Sequence, residues 1–228
     1  MTREIAFDTE TTGLDPRAGH RLVEIGCVEL IHGMPSGQSW HSYLNPERDM
    51  PEEAFAVHGL SVDFLMDKPL FGDVAEEFLV FLGDATLVIH NAAFDLGFIN
   101  AELDRVGRPA LGNAFIDTVS LARRKFPGQR NSLDALCERF GIDNTHRTKH
   151  GALLDAELLA EVYVELNGGR QRGLDLAAAS TSGAAVLVGH DPAATSAARA
   201  ARMHAPTPAE LAAHEEFLKK ISEPIWLK

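Results

Sequence analysis

The chain has 228 residues, 45% of them hydrophobic and 24% charged, so it is long enough to bury a full core and carry an additional segment. It has no apolar run of about 18 residues and begins with Met-Thr-Arg-Glu directly before a strand, which predicts neither a membrane span nor a secretory signal and favours the cytoplasm. Its formal net charge of -12 argues against a protein that coats nucleic acid by bulk electrostatics, but not against an enzyme whose acids hold metal ions.

The first predicted strand ends in two acids. It reads Ile-Ala-Phe-Asp-Thr-Glu-Thr-Thr-Gly over residues 5–13, and Asp8 and Glu10 lie two positions apart. On an extended chain both carboxylates leave the same face, and like charges this close repel unless a cation lies between them. An isolated Asp-x-Glu pair is more often a solvated strand end, so its meaning depends on the groups that later segments bring to it.

The elements that follow are typical of an α/β domain. Segments rich in Val and Ile with partial alternation predict strands, and apolar residues at helical spacing that end near Gly predict helices. The further predicted strands are residues 21–31, 38–44, 86–89 and 114–117, with a turn over 33–37. The predicted core helices are residues 52–56, 73–82, 94–106, 118–125, 133–140 and 152–166. A meander of three strands followed by alternating helices and strands predicts a mixed sheet of about five strands flanked by helices.

The composition changes beyond Gly169. Residues 170–205 are dominated by Ala, Ser, Thr and Gly, which predicts a flexible linker. Within residues 206–228, Thr207, Pro208 and Glu210 have the order of an N-cap, a proline at N1 and an acid at N3, which predicts a short terminal helix. The chain is therefore expected to consist of a folded domain over 1–169 and a tail.

Four acids are expected to meet at one edge of the sheet. Asp8 and Glu10 end the first strand, Asp95 opens the helix after the fourth strand, and Asp155 lies one turn into the last core helix. If the fourth strand is parallel to the first, these carboxylates share the crevice where open α/β sheets bind ligands. Such oxygen ligands suit Mg²⁺ or Mn²⁺, and a pair of these ions can stabilise the attacking and leaving oxygens of a phosphoryl displacement.

A catalytic base is also needed. His150 lies five residues before Asp155, just upstream of the helix, so it can reach the site without being a ligand. A neutral imidazole in this position can take a proton from an attacking water near neutral pH. His146 competes for this role, since both histidines flank basic residues.

Three segments together resemble the exonuclease motifs of the DEDD superfamily, histidine branch. They are Asp-Thr-Glu-Thr-Thr-Gly at 8–13, His-Asn-Ala-Ala-Phe-Asp at 90–95 and His-Gly-Ala-Leu-Leu-Asp-Ala at 150–156. The resemblance covers about residues 3–169 and includes the epsilon proofreading subunits of bacterial DNA polymerase III. It implies a ribonuclease-H-like sheet, two divalent metal ions, and removal of nucleotides from DNA 3′ ends as 5′-monophosphates.

The resemblance also implies roles for individual residues. The metal ligands would be Asp8, Glu10, Asp95 and Asp155, and the general base would be His150, which alone has the motif's spacing to Asp155. Asp8, Glu10 and Asp155 would also contact substrate, together with Glu53 and His58 from a stretch at 51–59 that is similar to the family's contact to the terminal nucleotide. On the residues alone, Glu53 would be a solvated helix position and His58 a turn residue.

Basic residues near the predicted site are candidates to follow the DNA backbone. They are Arg123, Arg124, Lys125, Arg130, Arg147 and Lys149. For the cluster at 123–125, a solvated surface is an equal alternative.

The tail carries a second resemblance. Gln171, Leu174 and Leu176 lie in a six-residue stretch similar to peptides that bind the bacterial sliding clamp. The terminal segment would then bind the polymerase III alpha subunit, with Phe217 and Trp226 as aromatic anchors; the alternative is that it packs back on the folded domain. The resemblance to this family also implies that a small accessory subunit is a candidate partner.

Two other functions remain open at this point. The first is an RNA-trimming 3′-5′ exoribonuclease of the same superfamily, against which the clamp-like peptide and the long tail argue. The second is a catalytically idle adaptor between clamp and polymerase, against which the complete set of four acids and a histidine argues.

Overall fold

A single mixed sheet organises the folded domain. The computed structural model describes residues 2–147, 149–169 and 206–220. The strands are β1 (Arg3–Thr11), β2 (Leu22–Ile31), β3 (Met34–Tyr43), β4 (Thr86–Ile89) and β5 (Phe115–Asp117), in the order β3-β2-β1-β4-β5. The first three strands are antiparallel, whereas β4 lies parallel to β1 and β5 parallel to β4. The predicted fold class, with its mixed sheet of five strands, is confirmed.

Seven α-helices flank the sheet in the described part of residues 2–169. They are α1 (Glu52–His58), α2 (Val62–Leu65), α3 (Phe71–Leu82), α4 (Ala92–Arg105), α5 (Thr118–Lys125), α6 (Leu133–Phe140) and α7 (Ala152–Leu166). The last three have the predicted bounds. The hydroxyl of Ser132 accepts a hydrogen bond from the Ala135 N–H at the start of α6, and Gly141 ends that helix with a φ of 67°. Among the described residues no helix has both the length and the hydropathy of a membrane span.

The predicted turn over residues 33–37 is wrong. The chain reverses within His32 and Gly33, whose φ angles are 55° and 75°, and β3 already begins at Met34. Two consecutive residues with positive φ form the tight hairpin turn whose twist matches that of the paired strands. Pro35 and Gly37 hid this strand from the sequence pattern; they are tolerated because β3 is an edge strand.

The alternation of β1 divides its side chains between two hydrophobic layers. Ile5 and Phe7 belong to the layer that also contains residues of α3 and α4. Ala6 belongs to the layer on the opposite face, together with residues of α5, α6 and α7. Continuing the alternation, Asp8 and Glu10 face the side of α7, and Thr9 faces the side of α4. The end of β1 therefore supplies polar groups to both layers.

Helix α7 begins directly against the backbone of β2. Gly26 is paired with Asp8 in the sheet. A Cβ atom at Gly26 would lie 2.3 Å from the carbonyl carbon and oxygen of Ala152 and 2.4 Å from the nitrogen of Leu153. The absence of a side chain at Gly26 thus lets the first turn of α7, which carries Asp155, approach the strand that carries Asp8.

The described part of the tail contains one helix. α8 (Pro208–Leu218) starts with the predicted capping box, in which the Thr207 hydroxyl accepts from the Glu210 N–H and the Glu210 carboxylate accepts from the Thr207 N–H. Residues 170–205, with Gln171, Leu174 and Leu176, lie outside the described residues, as does Trp226. The predicted boundary at residue 169 stays a prediction.

We expect Gly26→Ala to destabilise the protein by about 1–3 kcal/mol or more, because the added methyl group meets backbone atoms of α7 that cannot move aside as a side chain could. Thermal unfolding followed by circular dichroism measures the effect. Gly112→Ala is the matched control, since a Cβ there meets nothing within 4 Å and the φ angle is not positive. Equal melting temperatures for the two variants would show that α7 does not need this close approach.

Candidate active site

Four carboxylates converge where β1 ends. Asp8 and Glu10 come from β1, Asp95 from the first turn of α4 and Asp155 from the first turn of α7. The residues Asp95 and Asp155 are only 3% and 2% exposed, and Glu10 is 8% exposed. The Thr9 hydroxyl donates a hydrogen bond of 2.7 Å to Asp95 Oδ1, so Thr9 links the strand to the acid of α4. The structure therefore brings the four predicted acids to one edge of the sheet, as parallel β1 and β4 require.

Burial and mutual repulsion make these acids reluctant to ionise. Burial raises the pKa of Asp8 well above its usual value, and the charges of Asp95, Glu10 and Asp155 raise it further. Burial, with the charge of Asp155, raises the pKa of Glu10 to about 8, and burial raises that of Asp95 to about 7. Carboxylates in such a group become stable as anions when a cation lies among them, and their hard oxygen atoms suit Mg²⁺ or Mn²⁺. The residues present thus fit a divalent metal site.

Asp155 differs from the other acids because a cationic side chain holds it. Arg147 donates from Nε to Asp155 Oδ1 at 2.6 Å and from Nη2 to Asp155 Oδ2 at 2.7 Å. Burial acts to raise the pKa of Asp155, but the nearby polar groups of His150 and Arg147 and the charge of Arg147 outweigh it, so the pKa is lowered. His150 Nδ1 lies 3.3 Å from Asp155 Oδ2, and the His150 side chain is 46% exposed. The predicted base therefore lies beside the acids and open to water.

The tightest potential metal-binding cluster includes the predicted base. One ligand atom from each of Glu10, His150 and Asp155 lies within 4.8 Å of the other two. Asp8 and Asp95 do not belong to that three-residue cluster, although Asp95 and Asp8 are close enough for their charges to interact. The geometry therefore groups Glu10 and Asp155 with His150 and leaves the role of His150, as ligand or base, to be decided by its chemistry.

A cleft of about 490 Å³ opens beside the acids, and three of the five predicted substrate-binding residues line it, whereas Asp8 and Asp155 do not. Glu10, Glu53, His58 and Phe94 are among its walls. His58 is 5% exposed, and burial lowers its pKa, so the ring is neutral near pH 7. Its Nδ1 accepts a hydrogen bond of 3.0 Å from the Leu60 N–H, which places the ring hydrogen on Nε2. Among the described residues Nε2 has no hydrogen-bond partner of normal geometry, although a backbone group of Thr11 is close enough to act on the pKa of the ring, so this buried donor lies behind the wall of the cleft.

Several functional contacts were not apparent from the sequence. The alternative that His58 is a turn residue does not describe its position, since His58 ends α1 and is buried. Arg147 was a candidate to follow DNA, but its guanidinium is turned into the acidic cluster. Lys149 Nζ donates to the Ala56 carbonyl at 2.6 Å, and the His150 N–H donates to the Val57 carbonyl at 3.2 Å, so this segment is attached to α1. Only the folded structure reveals these links, because they join residues that no regular spacing along the chain connects.

Comparison with known proteins gives consistent matches. The family model described as Exonuclease matches residues 5–163. The chain is 50% identical to the DNA polymerase III subunit epsilon of Rickettsia felis over 224 residues, which is 96% of each chain. It is 49% identical to the Escherichia coli K12 subunit epsilon over 178 residues, which is 75% of this chain and 73% of that one.

Solved structures share the fold. Exonuclease X in complex with 5′ overhanging duplex DNA is 29% identical, with a TM-score of 0.56 over 73% of this chain and 91% of that one. The nuclease domain of 3′hExo, a DEDDh family member bound to rAMP, is 19% identical, with a TM-score of 0.64 over 72% of this chain and 90% of that one. At 19% identity, the similarity to 3′hExo supports a shared fold and nothing further.

We expect the metal-free protein to lose stability as the pH rises from 7 to 8.5. When folding raises the pKa of a carboxyl group, the group stabilises the folded state fully at a pH below its pKa in the unfolded chain, about 4. This contribution is lost as the pH rises through its pKa in the folded protein, which is about 8 for Glu10. The range begins at pH 7 because His58 and His90, whose pKa values are lowered on folding, make the folded state more stable as the pH rises to about 7.

Melting temperatures measured in excess chelator test this expectation, with Glu10→Gln as the control that lacks one of the titrating groups. The fall should be smaller in the variant, and excess Mg²⁺ should reduce it in both proteins. A wild-type melting temperature that is constant or rises over this range would contradict the assigned electrostatics.

Proposed function

We propose that the four carboxylates and His150 of this chain hydrolyse the terminal phosphodiester bond of a DNA 3′ end. The chain belongs to the exonuclease family that includes the DNA polymerase III epsilon subunits. The 3′-5′ DNA exonuclease activity follows from membership of that family. The assignment of roles to residues is our proposal. It depends chiefly on one observation: acids from β1, α4 and α7 converge beside His150 and a cleft with a buried hydrogen-bond donor.

Asp8, Glu10, Asp95 and Asp155 would hold two divalent metal ions, Mg²⁺ or Mn²⁺. When bound, such ions stabilise the negative charge on the attacking and leaving oxygens of the phosphoryl group. The burial of these acids, their raised pKa values and their oxygen chemistry support this role. Thr9 would hold Asp95 in place through its hydrogen bond of 2.7 Å.

His150 would act as the general base. Its side chain is 46% exposed, so water can reach the ring, and Asp155 Oδ2 lies 3.3 Å from Nδ1. If Nδ1–H donates to Asp155, the lone pair of Nε2 is free to accept a proton from the attacking water, and Asp155 stabilises the resulting imidazolium. His146, the competing histidine, is exposed and belongs to none of the clusters found in the described chain.

The cleft would bind the terminal nucleotide. Its volume of about 490 Å³ is within the usual range for small-ligand sites. The Nε2–H of His58 would donate to an oxygen of the nucleotide, and Phe94 would offer an aromatic surface to the base. Asp8, Glu10, Asp155 and Glu53 would contact the sugar-phosphate end, directly or through bound metal.

The tail would attach the nuclease to the replication machinery. The relative from Rickettsia felis, named as a DNA polymerase III subunit, matches 96% of this chain, and this supports association with polymerase III and a proofreading role over independent RNA trimming. In α8, Leu211 and Phe217 are 49% and 57% exposed. We assign Phe217 and Trp226 to the alpha subunit and the peptide at 171–176 to the sliding clamp; a small accessory subunit could join the same complex.

A time course of 5′-labelled substrates with Mg²⁺ tests the function. The substrates are a DNA primer with a 3′ mismatch, its matched counterpart and an RNA of the same sequence. We expect stepwise shortening of DNA from its 3′ end, faster at the mismatch. Preferential loss of RNA would favour the exoribonuclease alternative, and no cleavage of any substrate would favour the adaptor.

A pair of histidine variants tests the base. His150→Gln should slow DNA hydrolysis by roughly 10²–10⁴-fold, because a general base typically contributes that much, whereas His146→Gln should leave the rate unchanged. Asp155→Asn should remove both activity and metal affinity, whereas His150→Gln should retain metal affinity. Loss of metal binding in His150→Gln would instead make His150 a ligand.

Two substitutions of exposed apolar residues test the tail. Phe217→Asp should abolish or strongly reduce co-purification with the polymerase alpha subunit and leave hydrolysis of short oligonucleotides intact. Val80→Asp is the matched control, because Val80 is a 72% exposed residue of α3 in the folded domain. Undiminished co-purification of both Phe217→Asp and Trp226→Ala would exclude the proposed anchors.

A further inference from the structure

We infer that Arg147 is a positioning residue that closes the site: its guanidinium acts as an internal cation on Asp155, and a divalent metal ion must displace it. The inference rests on the proposed role of Asp155 as a metal ligand. It concerns how the metal-free site changes into one that can bind metal ions and activate water.

The first observation is that Arg147 engages both oxygens of Asp155. The two hydrogen bonds, of 2.6 Å from Nε and 2.7 Å from Nη2, form the parallel fork that is the strongest guanidinium–carboxylate arrangement. Both side chains are buried, with 7% and 3% exposed. A carboxylate held in this way has its oxygen atoms directed to the guanidinium. Each oxygen keeps a second lone pair, but the guanidinium charge held beside it repels another cation, so a metal ion can bind Asp155 strongly only when Arg147 moves away.

The second observation is that the same guanidinium holds the proposed base. Arg147 Nη2 lies 2.8 Å from His150 Nδ1. Arginine is always protonated and has no acceptor, so in this contact His150 Nδ1 accepts and the ring hydrogen is on Nε2. Nδ1 cannot then also donate to Asp155 Oδ2, and of the two contacts the one to Arg147, at 2.8 Å against 3.3 Å, is the shorter. In that tautomer Nε2 has no lone pair for a proton from water. One side chain thus blocks a ligand and the base together.

Release of Arg147 would make Asp155 available to a metal ion and let His150 adopt the tautomer that a general base requires. His150 Nδ1 is 3.3 Å from Asp155 Oδ2, so without Arg147 the hydrogen can reside on Nδ1 and be donated to Asp155. The change of tautomer is balanced, because Nε2 gives its proton to solvent water and Nδ1 takes one from it. The 46% exposure of the His150 side chain permits this exchange.

The third observation is that Arg147 also contacts an acid that is not one of the four proposed ligands. Arg147 Nη1 donates to Asp134 Oδ1 at 2.6 Å, and Asp134 on α6 is 59% exposed. An ion pair at the surface contributes little to stability, so Asp134 does not hold Arg147 in the site by itself. It gives the displaced guanidinium a nearby partner. The divalent ion wins this competition because it interacts with several acids, whereas the hydrogen bonds of Arg147 reach Asp155 alone among the four.

Binding of Mn²⁺ to the full chain, followed by electron paramagnetic resonance of the unbound ion, tests the inference without relying on activity. We expect Arg147→Gln to lower the dissociation constant by about tenfold or more, because a buried competing cation is removed. Arg147→Lys, which keeps the charge but not the fork, should lie between this variant and the wild type. Arg130→Gln, which removes an 83% exposed arginine, is the control and should bind as the wild type does.

A dissociation constant that is unchanged or raised in Arg147→Gln, with normal binding by the wild type, would overturn the inference and leave the proposed nuclease site intact. Absence of Mn²⁺ binding by the wild type would overturn the metal site itself, and this inference with it. Circular dichroism of each variant in chelator establishes that it is folded; Arg147→Lys keeps the comparison valid if Arg147→Gln is not.

Nitrogen-15 resonances of His150 give an independent measurement. In chelator the wild type should show the tautomer with hydrogen on Nε2, and Arg147→Gln or added Mg²⁺ should shift the population to hydrogen on Nδ1. Predominance of the Nδ1–H form in the metal-free wild type would contradict the contact on which the inference depends.

Discussion

Repulsion among four carboxylates, three of them buried and that of Asp8 half-buried, is the constraint on which the arrangement of this molecule depends. Burial raises the pKa values of Asp8, Glu10 and Asp95, and neighbouring negative charge raises those of Asp8 and Glu10 further. A fold gains nothing in stability from such a cluster, so its presence is explained by what it binds. The Thr9 hydroxyl moderates this cost at Asp95, and the charge of Arg147 moderates it at Asp155 and, from farther away, at Asp8 and Glu10.

The architecture overcomes this repulsion by drawing the acids from independently packed elements. The odd-numbered residues of β1 are fixed by the layer containing α4, and its even-numbered residues by the layer containing α7. Gly26 allows α7 to begin against the sheet, and the parallel pairing of β4 with β1 places the start of α4 at the same edge. Because each acid is attached to a buried apolar framework, hydrophobic burial can outweigh the local electrostatic penalty.

The sequence predicts those parts of the site that depend on local periodicity. The spacing of Asp8 and Glu10, the bounds of α7 and the position of His150 ahead of it all follow from patterns within one element. The hairpin at His32 and Gly33 was missed because Pro and Gly interrupt the alternation of an edge strand. The Arg147 contacts join residues that no periodic pattern connects, and the same holds for the buried Nε2 of His58. Such contacts depend on tertiary packing, which a single sequence does not display.

The charge balance of the site bears on how DNA would be held. The cationic groups nearest the acids are already engaged: Arg147 by Asp155 and Asp134, and Lys149 by the Ala56 carbonyl. With a formal net charge of -12, the chain as a whole repels a polyanion, so attraction to phosphate must come chiefly from bound metal ions and from a released Arg147. On the proposed mechanism, metal binding would therefore create both the catalytic charge and much of the affinity for the DNA end. A nuclease with such weak intrinsic affinity would act mainly where a tether raises the local concentration of DNA ends, which is the arrangement that association with a polymerase would provide.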